Sequence, residues 1–154
     1  MLDQCTIKER FEGVNQMIER WLQERQALIV QYCALSGIHE HSPDTEAATA
    51  RLDHFCALLV DYASAGHFEI YYQLIREAEA FDDGSAEKAN ALLPRIVDST
   101  ETAMDFHDKY TDCARQLTEL PQDLSGLGET LASRFDLEDR LINTLHEAHR
   151  EQVA

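Results

Sequence analysis

The histidines of this chain come nearest, in type and spacing, to a metal site. Helical di-iron proteins use Glu-x-x-His on two helices, because the carboxylate and imidazole then reach one metal from adjacent turns. No glutamate here has a histidine three residues later. His146 and His149 lie three residues apart, but no matching helical pair occurs elsewhere. We therefore interpret them as a surface pair near a frayed C-terminus, and we predict no metal and no cofactor.

His67 is the candidate for accepting a phosphoryl group. Phosphotransfer bundles carry an exposed histidine followed closely by lysine and glycine, whereas Phe68, Glu69 and Ile70 follow here. The carboxylate of Glu69 would repel a phosphoryl group. The sequence also lacks a nucleophile elbow, a P-loop and a dinucleotide fingerprint. We predict a binding protein and not an enzyme, and the alternative is a histidine phosphotransfer or metal-binding helical bundle.

Three charged residues are predicted to form a structural polar network. Arg25 falls on an apolar helical stripe, and Arg134 and Glu138 are four residues apart on either side of Phe135. Buried charges need partners. We therefore expect an ion pair of the Arg25–Glu138 type across helices, which would fix the helix register. A catalytic carboxylate pair is the other interpretation, but no nucleophile accompanies it.

The candidate binding surface lies in the stretch 55–72. Asp61, Ser64 and Phe68 are spaced three and four residues apart, on the side away from the apolar stripe, so Asp61 should face water. Gly66 interrupts the pattern, and glycine in a helix costs about 1 kcal/mol relative to alanine, which predicts a kink or a break. Two positions for Phe68 stay open. It joins the exposed row as part of a docking surface, or it turns into the core after the kink.

Amphipathic helices must position these residues, because apolar side chains recur at three and four residues along most of the chain. The predicted helices cover about 3–36, 43–65, 66–80, 86–92, 94–117 and a final stretch from 124 onward. Gly37 should end the first helix before a loop at 38–41, and turns are expected at 82–85, with Ser85 as a cap, and at 120–123. If the pair of helices around Gly66 counts as one, the fold is an all-α, antiparallel up-and-down four-helix bundle in one domain, 1–154.

The charge of the chain restricts its partners. There are 29 Asp and Glu against 13 Lys and Arg, for a net charge of −16, and residues 38–84 hold half of this excess. Direct binding to nucleic acid needs a basic surface, so a basic protein partner or simple solubility fits better. The four cysteines form no CxxC pair, and we see neither a signal peptide nor a membrane span. We expect a cytoplasmic protein.

Three segments resemble the regulator of sigma D family (Rsd/AlgQ), in order and over nearly the whole chain. They are Arg20-Trp21-Leu22-x-x-Arg25, Phe55-Cys56-x-x-Leu59-Val60-Asp61-Tyr62-x-Ser64-Ala65-Gly66-His67-Phe68 and Arg134-Phe135-x-Leu137-Glu138-Asp139-x-Leu141-Ile142. The resemblance implies a helical anti-sigma factor. Such a protein would bind region four of the primary, sigma-70-class, sigma factor and reduce its use by core RNA polymerase and at promoters.

The resemblance also implies which residues touch sigma. The family's contact motif includes the acid of Val-Asp-Tyr and the aromatic of Gly-His-Phe, here Asp61 and Phe68, with Ser64 between them. We count Asp61, Ser64, Phe68 and Tyr71 as the partner-binding residues. Sigma region four is basic because it reads promoter DNA, so an acidic segment can attract it. The sequence leaves room for further protein partners.

Overall fold

The structure is a computed structural model that describes residues 2–41, 45–111 and 117–153. Its helices are α1 (Leu2–His41), α2 (Thr45–Ala65), α3 (Tyr71–Glu79), α4 (Ser85–Asn90), α5 (Leu93–Thr111), α6 (Leu120–Leu145) and α7 (Arg150–Val153). A five-residue π-helix, Gly66–Ile70, joins α2 to α3 and is called the π segment below. Short 3₁₀ turns, Leu117–Glu119 and Glu147–His149, precede α6 and α7. Within the described ranges no residue belongs to a β-strand.

The long helices form a four-helix bundle, so the predicted all-α fold is confirmed. α1 packs on α2, α2 on α5, and α5 on α6, while α6 also contacts α1 and α3. The α2, π and α3 segments together make one member of the bundle. Every member contributes fully buried apolar side chains, including Leu28, Phe55, Leu59, Leu74, Ile96 and Leu141. Each such side chain contributes roughly 1.5–3 kcal/mol by leaving water. No helix in the described part of the chain is both long and apolar enough to span a bilayer.

Two predicted connections are helical instead. α1 continues through Gly37 to His41, so the predicted loop at 38–41 is wrong, because a single glycine costs only about 1 kcal/mol in a helix and does not by itself end it. Leu120 and Pro121 open α6 and do not form a turn. Proline suits the first turn of a helix, where its missing N–H would have no partner in any case. The sequence Ser42-Pro43-Asp44 predicts an N-cap with proline at the first helical position, but residues 42–44 lie outside the described residues.

The turn between α3 and α4 follows the prediction, with its cap one residue earlier. Asp82 and Gly84 adopt positive φ angles of 49° and 82°, a conformation that glycine takes at little cost. Gly84 is the N-cap of α4. Asp83 Oδ1 accepts a hydrogen bond of 3.1 Å from the backbone N–H of Ser85, so Asp83, and not Ser85, supplies the capping oxygen.

Candidate functional site

The candidate site lies where α2 passes into the π segment. A Cβ atom at Gly66 would lie 2.9 Å from Trp21 Cζ2 and 2.9 Å from Tyr71 Oη, so glycine alone lets these two rings pack against the backbone here. The N–H of Tyr71 donates to the carbonyl of Gly66 across the wider turn. The predicted interruption near Gly66 is confirmed. It takes the form of a π-helix, and the backbone stays helical on both sides.

Four side chains spaced three or four residues apart along α2, the π segment and α3 are exposed or half-buried. Asp61 is exposed and Ser64 is half-buried. Phe68 is 77% exposed, and Tyr72, four residues further on, is 54% exposed. The structure thus decides between the two positions left open for Phe68, because its ring lies at the surface and not in the core. We call Asp61, Ser64, Phe68 and Tyr72 the exposed row.

Tyr71 does not belong to this row, and its predicted place on the binding surface is wrong. Its side chain is only 4% exposed, and its hydroxyl donates to Glu138 Oε2 in the interior. In an uninterrupted α-helix, Tyr71 would lie about 80° around the axis from Asp61, since each residue turns through about 100°. The π segment turns less per residue, which carries Tyr71 to the core side.

Two more acids flank the exposed row and were not predicted from the sequence. Glu69 lies in the π segment and Glu24 on the neighbouring turn of α1, and both are exposed. Partial burial, followed by the nearby carboxylates of Asp61 and Glu69, raises the pKa of Glu24 above its ordinary value. A cleft of about 100 Å³ between α1 and the π segment is lined by both glutamates and by Arg20. Three carboxylates therefore lie close to one another, and one of them, that of Glu69, belongs to the residue after the exposed Phe68.

Tyr72, Glu69 and Glu24 differ in how far the sequence alone indicates their place at the site. Tyr72 is four residues after Phe68, so helical spacing could have placed it on the same face. Glu69 follows Phe68 directly and belongs to the acidic segment already noted. Glu24 lies on a separate helix, and only the packing of α1 against α2 and the π segment brings it to the site.

A buried polar network lies beneath the π segment and contains Arg25, Arg134 and Glu138. Glu138 has no exposed surface. Its Oε1 accepts from the Tyr62 hydroxyl at 2.5 Å and from Arg25 Nη2 at 3.3 Å. Its Oε2 accepts from the Tyr71 hydroxyl and from Arg134 Nε at 3.1 Å. One buried carboxylate thus joins α1, α2, α3 and α6.

Arg134 extends the network to α5. Its Nη1 donates to Ser99 Oγ at 3.1 Å and to Thr100 Oγ1 at 2.6 Å. Its Nη2 donates to the Tyr71 hydroxyl at 2.8 Å and to the carbonyl of Ala63 at 3.4 Å. A buried guanidinium is tolerated only when its donors are matched in this way. The network therefore fixes the register of the helices.

The ionisation of the network follows from its burial. Burial, and then the charge of Glu138, raise the pKa values of Tyr62 and Tyr71 above the ordinary value for a phenol. Both hydroxyls are therefore neutral donors. Burial alone would lower the pKa of Arg25, but Tyr62, Asp139 and Glu138 together raise it. Asp139 reaches the outer side of the same guanidinium, at 2.7 Å from Arg25 Nη1.

The C-terminal histidines are buried, so their predicted position as a surface pair is wrong. His146 and His149 are 0% and 1% exposed. His146 stacks on Phe11 at 4.0 Å between ring centroids, and its Nδ1 lies 2.9 Å from both carboxylate oxygens of Glu77. His149 Nε2 lies 2.6 Å from Asp83 Oδ2. His146 is the C-cap of α6 and His149 ends the 3₁₀ turn that follows, and each ring pairs in the interior with a separate carboxylate.

The residues considered for metal and phosphate chemistry give no joint site in the described part of the chain. Within it, no group of three or more His, Cys, Asp or Glu side chains is placed to hold a metal ion. The side chain of His67, the candidate phosphoryl acceptor, lies outside the described residues. What the geometry brings together is the exposed row, its two flanking glutamates and the polar network below them.

Comparison with known proteins identifies the family. The model of the family "Regulator of RNA polymerase sigma(70) subunit, Rsd/AlgQ" matches residues 1–146. The chain belongs to the Rsd/AlgQ family. It is therefore a regulator of sigma-70 activity, within a family of regulatory proteins.

Relatives named "Regulator of sigma D" are similar over most of their length. The protein of Yersinia enterocolitica serotype O:8 / biotype 1B is 39% identical over 144 residues, covering 89% of this chain and 84% of the relative. The protein of Enterobacter sp. (strain 638) is 38% identical over 164 residues, covering 100% of this chain and 98% of the relative. No solved structure matches the chain. The expected resemblance to this Rsd/AlgQ family is thereby confirmed.

Proposed function

We propose that this Rsd/AlgQ protein is an anti-sigma factor that binds region four of the primary sigma factor through the exposed row. Binding there would reduce the association of sigma with core RNA polymerase and with promoters. The observation that carries the proposal is Phe68, an aromatic side chain that is 77% exposed and follows the exposed Asp61 by seven residues. Phe68 and Tyr72, which is 54% exposed four residues later, leave two aromatic rings at the surface, and neighbouring exposed aromatic side chains are typical of a docking site.

The charge around Phe68 favours a basic partner. Asp61, Glu69 and Glu24 come from three different segments, and Asp61 and Glu69 both lie near enough to Glu24 to raise its pKa. Glu69 also directly follows Phe68 in the π segment. A domain that reads promoter DNA carries Lys and Arg for phosphate contacts, so the same side chains suit an acidic protein surface. A protein that occupies them competes with DNA for the same charges.

The two kinds of side chain are expected to act on different steps. Exposed ion pairs contribute only about 0.2–1 kcal/mol each, but long-range attraction raises the encounter rate. An aromatic anchor that becomes buried on binding can contribute more than about 2 kcal/mol. The acids would therefore set the association rate and orientation, and Phe68 would set the lifetime of the complex.

The decisive experiment measures binding kinetics of Phe68→Ala with the purified primary sigma factor and with its isolated region four. We expect the dissociation rate to rise by about thirtyfold or more, the equivalent of 2 kcal/mol, with little change in association. Val97→Ala is the matched control, because Val97 is also an exposed apolar residue but lies on α5. An unchanged dissociation rate for Phe68→Ala would remove the anchor from the proposal.

The alternative function, a histidine phosphotransfer or metal-binding bundle, can be tested separately. A phosphotransfer or metal-dependent bundle would be favoured by phosphate on His67 or by stoichiometric iron or zinc in the purified protein. No geometry in the described residues favours either reaction. Binding of sigma through a region other than four would retain the regulatory role and contradict the assigned contact.

A further inference from the structure

We propose that Gly66 and Trp21 are positioning residues for the exposed row. They hold the π segment in the geometry that presents Phe68 to the partner, although neither reaches the partner itself. This inference rests on the proposed function, because the partner is the one assigned to the exposed row. It assigns a recognition role to two residues that lie inside the bundle.

Two aromatic rings support the π segment from the inside. Trp21 and Tyr71 meet edge to face, with centroids 5.9 Å apart and planes at 80°. The backbone of Gly66 lies against both, since a Cβ atom there would be 2.9 Å from each. Real Cβ atoms do not approach other atoms so closely. A side chain at position 66 must therefore move Trp21, Tyr71 or the π segment.

The turn before Gly66 is tied to two other helices through its carbonyl groups. Trp21 Nε1 donates to the carbonyl of Tyr62 at 3.3 Å, and Arg134 Nη2 donates to the carbonyl of Ala63 at 3.4 Å. The Trp21 ring also stacks on the Tyr62 ring, with centroids 4.9 Å apart. Buried carbonyls need partners, so these side chains support the backbone where the helix changes from α to π.

The π segment determines how the residues after it face the solvent. One residue of α-helix turns through about 100°, so a change of register in residues 66–70 rotates everything that follows relative to Asp61. In the observed register, Tyr71 bonds to Glu138 in the interior while Phe68 and Tyr72 remain exposed. The buried contacts of Trp21 and Gly66 thus set the angle between the acidic and the aromatic parts of the surface.

The test is a double-mutant cycle on the affinity for the primary sigma factor. We expect Gly66→Ala and Trp21→Phe each to weaken binding by about tenfold in the wild-type background, within the usual range of coupling between contacting residues. In a Phe68→Ala background, each should weaken binding by less than about twofold, since their effect passes through that ring. A merely structural role would lower affinity equally in both backgrounds.

Matched controls separate positioning from general damage. Gly126→Ala is the control for Gly66→Ala, because a Cβ at Gly126 meets nothing within 4 Å. Tyr32→Phe is the control for Trp21→Phe, because Tyr32 also donates a single side-chain hydrogen bond to a backbone carbonyl, that of Leu124 at 2.9 Å. Neither control should change sigma affinity. Circular dichroism shows which variants are folded, and Trp21→Phe decides the matter if Gly66→Ala does not fold.

The outcomes are distinct from those of the proposed function. If Phe68→Ala weakens binding while both inner variants bind normally, the positioning role is wrong and the proposed function stands. Equal losses in the two backgrounds would also overturn the positioning role. If Phe68→Ala has no effect, the anchor is wrong, and the positioning role falls with it.

Discussion

Glu138 is the central acceptor of the buried polar network. Its two oxygens accept from two tyrosines and two arginines, and it is fully buried. A buried ion pair adds little net stability compared with a well-packed apolar core, but removal of one partner leaves an uncompensated charge. Removing one partner from this network should therefore destabilise the fold by more than the intact network stabilises it.

Glu138→Gln should lower the free energy of unfolding by about 3–5 kcal/mol, because Arg134 then keeps its charge without a counter-ion. Urea denaturation followed by circular dichroism measures this directly. Glu101→Gln is the control, since Glu101 is exposed on α5, and a surface change of this kind is usually within about 0.5 kcal/mol. A loss below about 1 kcal/mol for Glu138→Gln would show that the network tolerates the missing charge.

The buried phenols predict how stability depends on pH. Tyr62 and Tyr71 have pKa values raised in the folded state, so their contribution is complete below the unfolded value of about 10 and is lost as pH rises beyond it. We expect the free energy of unfolding to fall by about 2.7 kcal/mol per pH unit above that point, for two groups. Urea denaturation at several alkaline pH values tests the slope.

The double variant Tyr62→Phe/Tyr71→Phe is the comparison for this slope. It removes both hydroxyls that must stay neutral, so its stability should decline less steeply above pH of about 10. The variant starts from a lower stability, because Glu138 loses two donors. Equal slopes in the two proteins would assign alkaline unfolding to other groups.

For single residues, the sequence indicates that a buried polar network exists, but it does not indicate which side chains pair within it. An arginine on an apolar stripe and an Arg–Glu pair four residues apart indicate a buried polar network. The spacing does not show which hydroxyls complete it, because Tyr62 and Tyr71 are separated from Glu138 by 76 and 67 residues. For the same reason, the spacing of His146 and His149 does not reveal their carboxylate partners, which are 69 and 66 residues away.

Among the elements, α6 shows how differently two glycines can act within one helix. Gly126 faces open space, whereas a Cβ at Gly128 would lie 2.1 Å from Tyr32 Oη. The Tyr32 hydroxyl donates to the carbonyl of Leu124, so it cannot move away without breaking that bond. Gly128 therefore permits α1 and α6 to approach each other closely.

Gly126→Ala should raise the free energy of unfolding by about 0.5–1 kcal/mol, since alanine is the better helix former and finds room. Gly128→Ala should lower it by about 1–3 kcal/mol through overpacking against Tyr32. Thermal or urea unfolding of the two variants, compared side by side, measures both effects. The same sign for both would mean that Tyr32 repacks without cost.

Helix periodicity predicts the elements well, but it does not predict the form of their irregularities. Gly66 in an apolar pattern was enough to predict an interruption between α2 and α3. A π-helix could not be distinguished from a kink, because its geometry depends on Trp21, which α1 supplies. That difference changes the candidate site, since it moves Tyr71 into the core.

On the scale of the whole molecule, electrostatic attraction is the interaction that acts over the longest distance between two proteins. The net charge is −16, and the carboxylates of Glu24, Asp61 and Glu69 lie close to one another. Attraction between exposed charges is screened over about 8–10 Å at ordinary ionic strength. Overall charge was predictable from composition, whereas the meeting of Glu24 with Asp61 and Glu69 needed the packing of three segments.

Association with sigma should therefore slow as salt rises, while dissociation changes little. Stopped-flow or surface-based kinetics from low to moderate salt measure both rates. The variant Asp61→Asn/Glu69→Gln should associate more slowly and show a weaker dependence on salt. The variant Asp98→Asn/Glu101→Gln, with exposed acids on α5, matches its charge change and should keep most of the dependence. Equal behaviour of the two would mean that net charge alone steers the encounter.

Trp21 has one more consequence, which follows from its place in the bundle. It is the single tryptophan of the chain, it is only 2% exposed, and it touches both Tyr62 and the backbone of Gly66. Its emission therefore originates from directly below the π segment. The intrinsic fluorescence of Trp21 should therefore change when the π segment changes conformation, without an attached dye.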